Sequence, residues 1–343
     1  MTVSTPRSRW AARATAFAMA GVIVGGVSAC ADEDHALRTP DGKIISTSTT
    51  RVAQVNIVNP ERDFSKTCLA PTVPDQGESD VARVVVTDPA LLDAMCALGL
   101  GSHVTAVAAE PGSVPAYLGP ELTAVPAIGT YPSAAQVSEA KPALILSTPD
   151  TESTAAAVHD TGAAGSARTV NVTTGADWRT TFTQVAAALN RNDAARQRLD
   201  EFDAEAKRTG TVLDAPHNQV SLVRFTKSAE MLEGTGNFAA GILSAIGVQR
   251  PAAQRGPDAV KVTDANFKDA DADLIYISYD SPSGLDRAKS VMDGDEWQDM
   301  GAPTWKRVLW VDDAVWYRAS GLAAAWLVLN DVKSSLNGSS AGE

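Results

Sequence analysis

Residues that usually carry catalysis or hold metal ions are scarce in this sequence. Its 343 residues include only four histidines and three cysteines, and the histidines, at positions 35, 103, 159 and 217, are far apart along the chain. The sequence has no Gly-rich phosphate loop, no Gly-x-Ser-x-Gly elbow and no Cys/His metal spacing. The adjacent pair Asp312 and Asp313 does not replace them, because neighbouring side chains of an extended segment point to opposite faces. We therefore expect no enzyme, no resident metal and no cofactor.

Positive charge is also in short supply. The chain has 29 Lys and Arg against 41 Asp and Glu, a formal net charge of −12. Residues 1–29 contain three of the arginines and no acid, so the chain without them has a formal charge of −15. Nucleic acid is excluded as a partner, because its phosphates require a basic footprint. Any anionic ligand must be held by locally placed arginines.

The apolar run near the start of the chain is too short to cross a bilayer as a permanent helix. Arginines precede it and small residues follow it, which is typical of a secretory signal. Val27-Ser28-Ala29-Cys30 resembles a bacterial lipobox, in which the Cys thiol receives a diacylglycerol. We expect a lipoprotein signal peptide at 1–29, with Cys30 lipidated and residues 30–50 as a flexible polar tether. The protein is then anchored to the outer face of the cytoplasmic membrane; an ordinary cleaved signal is the alternative.

Two cysteines, Cys68 and Cys96, remain for the body of the protein. Outside the cytoplasm an even pair is commonly oxidised, which favours a disulfide between them. Two buried reduced thiols are the alternative, and the sequence leaves both open.

Short β-branched runs alternate with helical patterns along the body. Residues 83–87, Arg-Val-Val-Val-Thr, are followed by Asp88 as a cap, Pro89 at the first turn and a helix that stops at Gly99. The same alternation predicts strands at 104–108, 143–147, 169–172, 220–225, 273–278 and 308–311, and helices at 133–140, 151–161, 238–246 and 320–336. Alternating strands and helices indicate mainly parallel sheets covered on both faces.

One long amphipathic pattern interrupts this alternation at residues 178–213. It predicts an α/β fold of two Rossmann-like lobes joined by one long helix, with a break near residues 190–193 left open. The expected domains are an N-terminal lobe at 51–177, the linking helix at 178–213, a C-terminal lobe at 214–337 and a tail at 338–343. A helix packed on both lobes limits closure, and ligand is expected in the cleft between the carboxyl ends of the two sheets.

Loops that follow strands carry the candidate ligand residues. Aromatic faces suit the organic scaffold of a metal chelate, and guanidinium groups suit oxygen-rich anions. The candidates are Tyr131, Arg224, Tyr279, Trp316, Tyr317 and Arg318. Ordinary packing is the alternative for each, and it is favoured for Trp310 and Trp326, which have strand and helix core spacing.

Several stretches resemble, in order, the helix-linked substrate-binding proteins of ABC importers for ferric siderophores, haem and cobalamin. They include "RVVVTDPALLDAMCALGLGSHVTAVA", "VPAIGTYPSAAQVSEAKPALILS", "GTGNFAAGILSAIGV", "DADLIYIS" and "WKRVLWVDDAVWYRASGLAAAWLVLNDV", and with the long helix they span Arg51 to Leu336. With the lipobox, the chain is similar to an actinobacterial lipoprotein of the ferric-dicitrate-binding type. The resemblance implies a monomer that captures an iron chelate, a ferric siderophore or haem, for uptake through an ABC permease.

One departure from that family leaves a second interpretation open. Members that dock on a permease usually present a glutamate on each lobe, and the corresponding positions here fall near Ala134 to Gln136 and near Gly241. Glu139 or Gln136 is the substitute in the first lobe, and the second lobe offers none. The alternative function is an envelope interaction or scaffold protein that uses the same fold without delivery to a permease.

Overall fold

The computed structural model describes residues 50–160, 165–175 and 177–337, all within one compact unit, Ser48–Glu343. The expected signal peptide, Cys30, the tether up to residue 49 and the tail lie outside the described residues. In the part of the chain that is described, no helix has both the length and the apolar character needed to cross a membrane.

The described residues form two β-sheets. Their strands are β1 Arg51–Val52, β2 Val55–Ile57, β3 Val84–Val86, β4 Val104–Val107, β5 Leu144–Ser147, β6 Arg168–Asn171, β7 Val220–Phe225, β8 Glu230–Leu232, β9 Val260–Lys261, β10 Leu274–Tyr279 and β11 Val308–Trp310. The first sheet, in the order β4-β3-β5-β6, is parallel throughout. The second has the order β1-β2-β11-β10-β7-β8-β9, with a parallel centre from β2 to β7 and antiparallel edges. These two α/β lobes confirm the predicted fold class.

Helices cover the sheets and connect the lobes. They are α1 Leu92–Ala97, α2 Gly119–Thr123, α3 Ala134–Ala140, α4 Glu152–Asp160, α5 Trp178–Ala188, α6 Asn192–Val212, α7 Phe238–Ile246, α8 Pro282–Met292, α9 Asp295–Gln298, α10 Gly301–Thr304 and α11 Leu322–Ser335. Local signals explain several ends. Helix α3 begins with a capping box between Ser133 and Gln136, and α7 ends where Gly247 adopts a φ of 95°.

The segment that links the lobes at 178–213 is two helices, with the break at the position, residues 190–193, that the sequence left open. Helix α5 ends at Ala188, and α6 begins at Asn192. The break has a local cause, because Asn190 takes a left-handed backbone with a φ of 58°, which a right-handed helix does not accommodate. The break also buries Arg191, whose Nη2 donates to Oδ1 of Asp80 at 2.6 Å. The linker is thereby tied to the first lobe.

The first residues of the body belong to the second sheet, whereas the sequence placed residues 51–57 in the first lobe. Strands β1 and β2 form a hairpin, and β2 pairs with β11 so that Asn56 lies opposite Leu309. The indole Nε1 of Trp310 also donates to the Val52 carbonyl at 3.0 Å. The hairpin satisfies backbone groups at an open sheet edge, a long-range pairing that no local pattern reveals. The described chain therefore passes between the lobes at residues 58–83 as well as through α5 and α6.

A shared hydrophobic core joins the lobes. The largest cluster contains residues of both sheets together with buried positions of α1, α5, α6, α7 and α11, among them Phe182, Phe202 and Leu322. A second cluster, which includes Phe225 and Trp297, lies against the second sheet. Such a continuous core restrains the lobes to small relative motions.

Candidate functional site

The carboxyl end of the second sheet collects side chains from three segments. Strands β7 and β10 run parallel and place Arg224 opposite Ser278. After β11 the chain enters a π-helical turn, Ala314–Arg318. Because the carboxyl ends of parallel strands meet at one edge of the sheet, these segments lie together, facing the predicted cleft. The predicted ligand residues found here are Arg224, Tyr279, Tyr317 and Arg318.

Asp313 organises this edge. Its Oδ1 accepts hydrogen bonds from Nε of Arg224 at 2.8 Å and from the Ser278 hydroxyl at 3.0 Å. Its Oδ2 accepts from Nη2 of Arg224 at 3.0 Å and lies 3.0 Å from Nε of Arg318. The carboxylate is buried, whereas the Arg318 side chain is 65% exposed. Asp313 thus holds two guanidinium groups in fixed orientations, one inside the site and one at its rim.

Arg224 remains charged in this setting. Burial lowers its pKa, but the hydrogen bonds and the charge of Asp313 outweigh burial and leave the pKa above its ordinary value. Its guanidinium carbon lies 5.1 Å from the ring centre of Tyr317, a cation–π contact. The Tyr317 hydroxyl is buried and has no hydrogen-bond partner among the described residues. Burial raises the pKa of Tyr317, so the phenol stays neutral.

Two residues outside the predicted set complete the cluster. Arg250 is buried, and its Nη2 donates to the Glu233 carbonyl at 2.8 Å and to Oε1 of Gln254. Its Nε and Nη1 have no hydrogen-bond partner in the described part of the chain. Burial lowers the pKa of Arg250 to about 10. Burial also raises the pKa of Glu233, against the opposing charges of Arg224 and Arg250.

Trp316 is a core residue, which corrects its predicted role in the cleft. It is completely buried, its Nε1 donates to Oδ2 of Asp331 at 2.8 Å, and its ring packs on Tyr276 at 4.7 Å between centres. The physical reason is the π-helical turn, in which neighbouring side chains leave the backbone in different directions. Tyr317 and Arg318 therefore lie beside Arg224 and Asp313, while Trp316 points into the core.

The two predicted tyrosines of the cleft lie on different lobes. Tyr279 ends β10, is 36% exposed, and packs edge-on against Trp310 at 5.5 Å between ring centres. Tyr131 is 87% exposed, in the loop before α3, close to where Ile128 and Gly129 bond to the end of β4. Each sheet thus presents a tyrosine at its carboxyl end.

Hydroxyl groups line the same end of the first sheet. The Thr148 hydroxyl donates to Oδ2 of Asp88 at 2.9 Å, and the hydroxyls of Thr87 and Thr151 lie 2.8 Å apart. This edge offers neutral hydrogen-bonding groups together with the carboxylates of Asp88, Glu110 and Asp150. The positive groups of the cleft are therefore concentrated on the second lobe.

The sequence did not identify Asp313, Glu233 or Arg250 as site residues. A signal existed for Asp313, because an arginine near the end of a buried strand requires a carboxylate partner at the same sheet edge. No such signal marks Arg250 or Glu233, which reach the site from separate loops. Within the cluster three arginines stand against two carboxylates, and the exposed Asp280 and Asp312 adjoin it in the sequence. Chemically, the cluster suits an oxygen-rich anion with a flat organic part.

Cys68 and Cys96 form a disulfide in the structure, with their Cα atoms 4.5 Å apart. Cys96 lies on α1, and Cys68 lies in the segment that crosses from the second sheet to the first lobe. The described residues contain no group of three or more His, Cys, Asp or Glu side chains placed to hold a metal ion.

The chain is similar in sequence to known binding proteins. A family model described as "Periplasmic binding protein" matches residues 84–314. The probable siderophore-binding lipoprotein YfiY of Bacillus subtilis (strain 168) is 26% identical over 268 residues, which cover 74% of this chain and 81% of that protein.

Solved structures are similar in fold. Staphylococcus aureus SirA complexed with staphyloferrin B gives a TM-score of 0.58 at 20% identity, covering 76% of this chain and 94% of that chain. FhuD2 from Staphylococcus aureus with bound ferrioxamine B gives a TM-score of 0.56 at 17% identity, covering 74% of this chain and 97% of that chain. At these identities the likeness establishes the two-lobe fold alone.

Proposed function

This chain belongs to the periplasmic binding protein family, and we propose that it captures an anionic ferric siderophore in the cleft between its two lobes. As a member of that family it binds a solute and is not an enzyme. The relative YfiY is described as a probable siderophore-binding lipoprotein, and SirA and FhuD2 were solved with siderophores bound. These relatives support the ligand class, which we extend here to this chain.

The single observation that carries the proposal is the set of arginines held by Asp313. Arg224 and Arg318 are oriented by one carboxylate, and the Tyr317 ring lies beside Arg224, whereas Tyr279 ends the neighbouring strand and packs on Trp310. Preoriented guanidinium groups recognise the carboxylate or catecholate oxygens of an iron chelate, and the rings contact its organic scaffold. Little ordering is required on binding, which favours affinity.

Titration of residues 31–343 with a panel of ferric siderophores, ferric citrate and haemin tests the ligand. Trp310, in contact with Tyr279, is an intrinsic fluorescent reporter close to the site. We expect saturable quenching by an anionic siderophore. Quenching by haemin alone would replace the siderophore with haem, and a flat response to the whole panel would contradict the proposal.

Variants at the rim of the cluster test the site. Arg318→Ala and Tyr279→Ala should each weaken binding, Arg318→Ala by roughly 10- to 100-fold, because a charge-assisted hydrogen bond contributes about 1.5–3 kcal/mol. Arg208→Ala is the matched control, since Arg208 is an exposed arginine of α6 paired with Glu205. Equal affinity in Arg318→Ala and Arg208→Ala would place the ligand elsewhere. The alternative, an envelope scaffold protein whose cleft binds no ligand, is not favoured, because such a protein would not need the arginines held by Asp313.

We also propose lipid anchoring at Cys30 and delivery to an ABC permease. Metabolic labelling with a fatty acid should label the chain, and Cys30→Ser should abolish the label.

For delivery to the permease, Glu139 is the exposed acid on α3, whereas Gln136 forms hydrogen bonds with Ser133 and with the Ile128 carbonyl. Glu139→Ala should reduce uptake of the iron chelate by cells, while the affinity of the purified variant for the chelate in solution is unchanged. Unchanged uptake would exclude Glu139 as a docking residue.

A further inference from the structure

Trp305 is exposed although nothing in the fold requires it to be. Its exposed fraction is 79%, whereas Trp297, Trp310 and Trp316 are at most 3% exposed. It follows α10, and the next residue, Lys306, is also exposed and takes a left-handed backbone with a φ of 56°. A non-glycine residue in that region is costly, so this tight turn is specifically maintained by its surroundings. The turn projects a large indole and an ammonium group into solvent.

The turn lies at the end of the second sheet opposite the ligand cluster. Strand β11 begins three residues after Trp305, and the Asp313 cluster follows the carboxyl end of the same strand. A partner that contacts Trp305 therefore leaves the cleft accessible.

The start of the body lies beside this turn. Strand β2 runs parallel to β11 with Asn56 opposite Leu309, so the register brings Gln54 next to Arg307. Nη2 of Arg51 donates to the Gln54 carbonyl at 2.8 Å, which draws that guanidinium to the same end of the sheet. We call the exposed residues Arg51, Gln54, Trp305 and Lys306 the Trp305 corner. It carries two cations and no acid.

A groove of about 400 Å³ adjoins the other side of Trp305. Its two acids are already engaged by backbone amides: Asp271 accepts from Gly301 N and Ala302 N at 2.7 and 3.0 Å, and Asp273 accepts from Gln219 N at 2.7 Å. These contacts hold the base of the turn in place. The groove also contains Arg307, so Trp305 lies between this groove and the two exposed cations, Arg51 and Lys306, that define the corner.

We propose that the Trp305 corner rests on a lipid surface. Indole rings favour the interface between lipid and water, and Lys and Arg extend their charged ends to lipid phosphates. This rests on the proposed anchor at Cys30, from which about 20 residues lead to Arg51. A chain of that length has a root-mean-square reach of roughly 25 Å if it is flexible, so the anchor keeps the corner close to the bilayer. In this orientation the cleft faces away from the membrane and collects ligand, and delivery to a permease requires the corner to leave the lipid surface.

The test uses the chain from Cys30 to Glu343, with Cys30 coupled in vitro to a maleimide phospholipid in phosphatidylcholine vesicles whose acyl chains are brominated. Coupling in vitro makes the result independent of whether cells acylate Cys30, and ligand titration in solution tests the siderophore proposal separately. Bromines quench only indoles that enter the bilayer interface. We expect quenching of part of the tryptophan emission, and its loss in Trp305→Phe.

A matched control carries Tyr131→Trp in the Trp305→Phe background, which places an equally exposed indole at the carboxyl end of the first sheet. We expect no quenching of that variant and weaker quenching in Lys306→Gln. Equal quenching in the wild type and Trp305→Phe, or quenching of the Tyr131→Trp variant instead, would overturn the proposal. A blue shift of Trp305 emission that depends on protein concentration, without vesicles, would assign the corner to a second copy of the chain and also overturn it.

Discussion

Asp93, on α1 of the first lobe, caps the last helix of the second lobe: its Oδ1 accepts a hydrogen bond from the Ala323 backbone N–H at 2.9 Å. Its Oδ2 accepts from the Ala324 N–H at 3.0 Å and from the Tyr117 hydroxyl at 3.1 Å. The carboxylate is buried and lies at the positive end of the α11 dipole. One side chain thus connects the two lobes through a helix terminus, independently of the linking helices.

Asp93→Asn should destabilise the protein by about 1–3 kcal/mol, because the amide has one oxygen to accept the hydrogen bonds that the two carboxyl oxygens accept from Ala323, Ala324 and Tyr117. Burial raises the pKa of Asp93 above its ordinary value of 3.8. The contribution of this group to the free energy of unfolding is therefore largest below pH 3.8 and declines as pH rises through the folded-state pKa. Denaturant unfolding of both proteins across this range measures the effect.

Asp63→Asn is the control for that pH dependence. Asp63 is an exposed cap whose pKa is lowered by its hydrogen bonds to Ser65, so its contribution declines as pH falls. The difference in the free energy of unfolding between wild type and variant should change with pH in opposite directions for Asp93→Asn and Asp63→Asn. A change in the same direction for both variants would contradict the role of burial at Asp93.

Gly321 and Gly241 should respond in opposite directions to substitution by alanine. A Cβ at Gly321 would fall 2.1 Å from Oδ1 of Asp93, whereas a Cβ at Gly241 meets nothing within 4 Å. Gly321→Ala should therefore break the cap between the lobes and destabilise the protein by more than about 1 kcal/mol. Gly241→Ala, on an exposed face of α7, should stabilise it by roughly 0.5–1 kcal/mol. Thermal unfolding of the two variants measures the change in Tm for each. Equal changes in Tm would be inconsistent with the close approach at Gly321.

Loss of the Cys68–Cys96 bond should lower the free energy of unfolding by roughly 3–4 kcal/mol on the chain-entropy account. The bond closes a loop with a sequence separation of 28 residues. Cys68→Ser/Cys96→Ser and the wild type are compared in denaturant with and without a reductant. Only the wild type should respond to the reductant; an unresponsive wild type would mean that the thiols are reduced.

Glu205→Gln should weaken the contact between α6 and α11 at neutral pH. Glu205 accepts from Arg208 of its own helix and from Nζ of Lys333 on α11 at 2.6 Å. Hydrogen bonds from Arg208 and then Lys333 lower the pKa of Glu205 to about 2. Its contribution to stability is present above pH 4.5 and disappears as pH falls toward 2.

The stability advantage of the wild type over Glu205→Gln should therefore vanish in acid. Glu201→Gln is the control, because Glu201 contacts only residues of α6 in the described structure. A pH-independent difference for Glu205→Gln would contradict the ion pair between helices.

Patterns within one element predicted that element well. The helix expected at 238–246, with a stop at Gly247, is confirmed, as is the strand at 220–225. Caps, glycine stops and β-branched runs act over a few residues, so the sequence displays them directly. For the linking helix, the sequence left a break near residues 190–193 open, but it could not show that Arg191 pairs there with Asp80, more than 100 positions earlier.

The sequence by itself determined the α/β class, the two lobes and the acidic surface, because alternation, length and composition are properties of the chain. Only the tertiary structure decided that Trp316 enters the core, that Asp313 holds Arg224 and Arg318, and that residues 51–57 complete the second sheet. The physical reason is the same in each case. Burial and ion pairing depend on which distant segments a fold brings together, and sequence separation does not encode that distance.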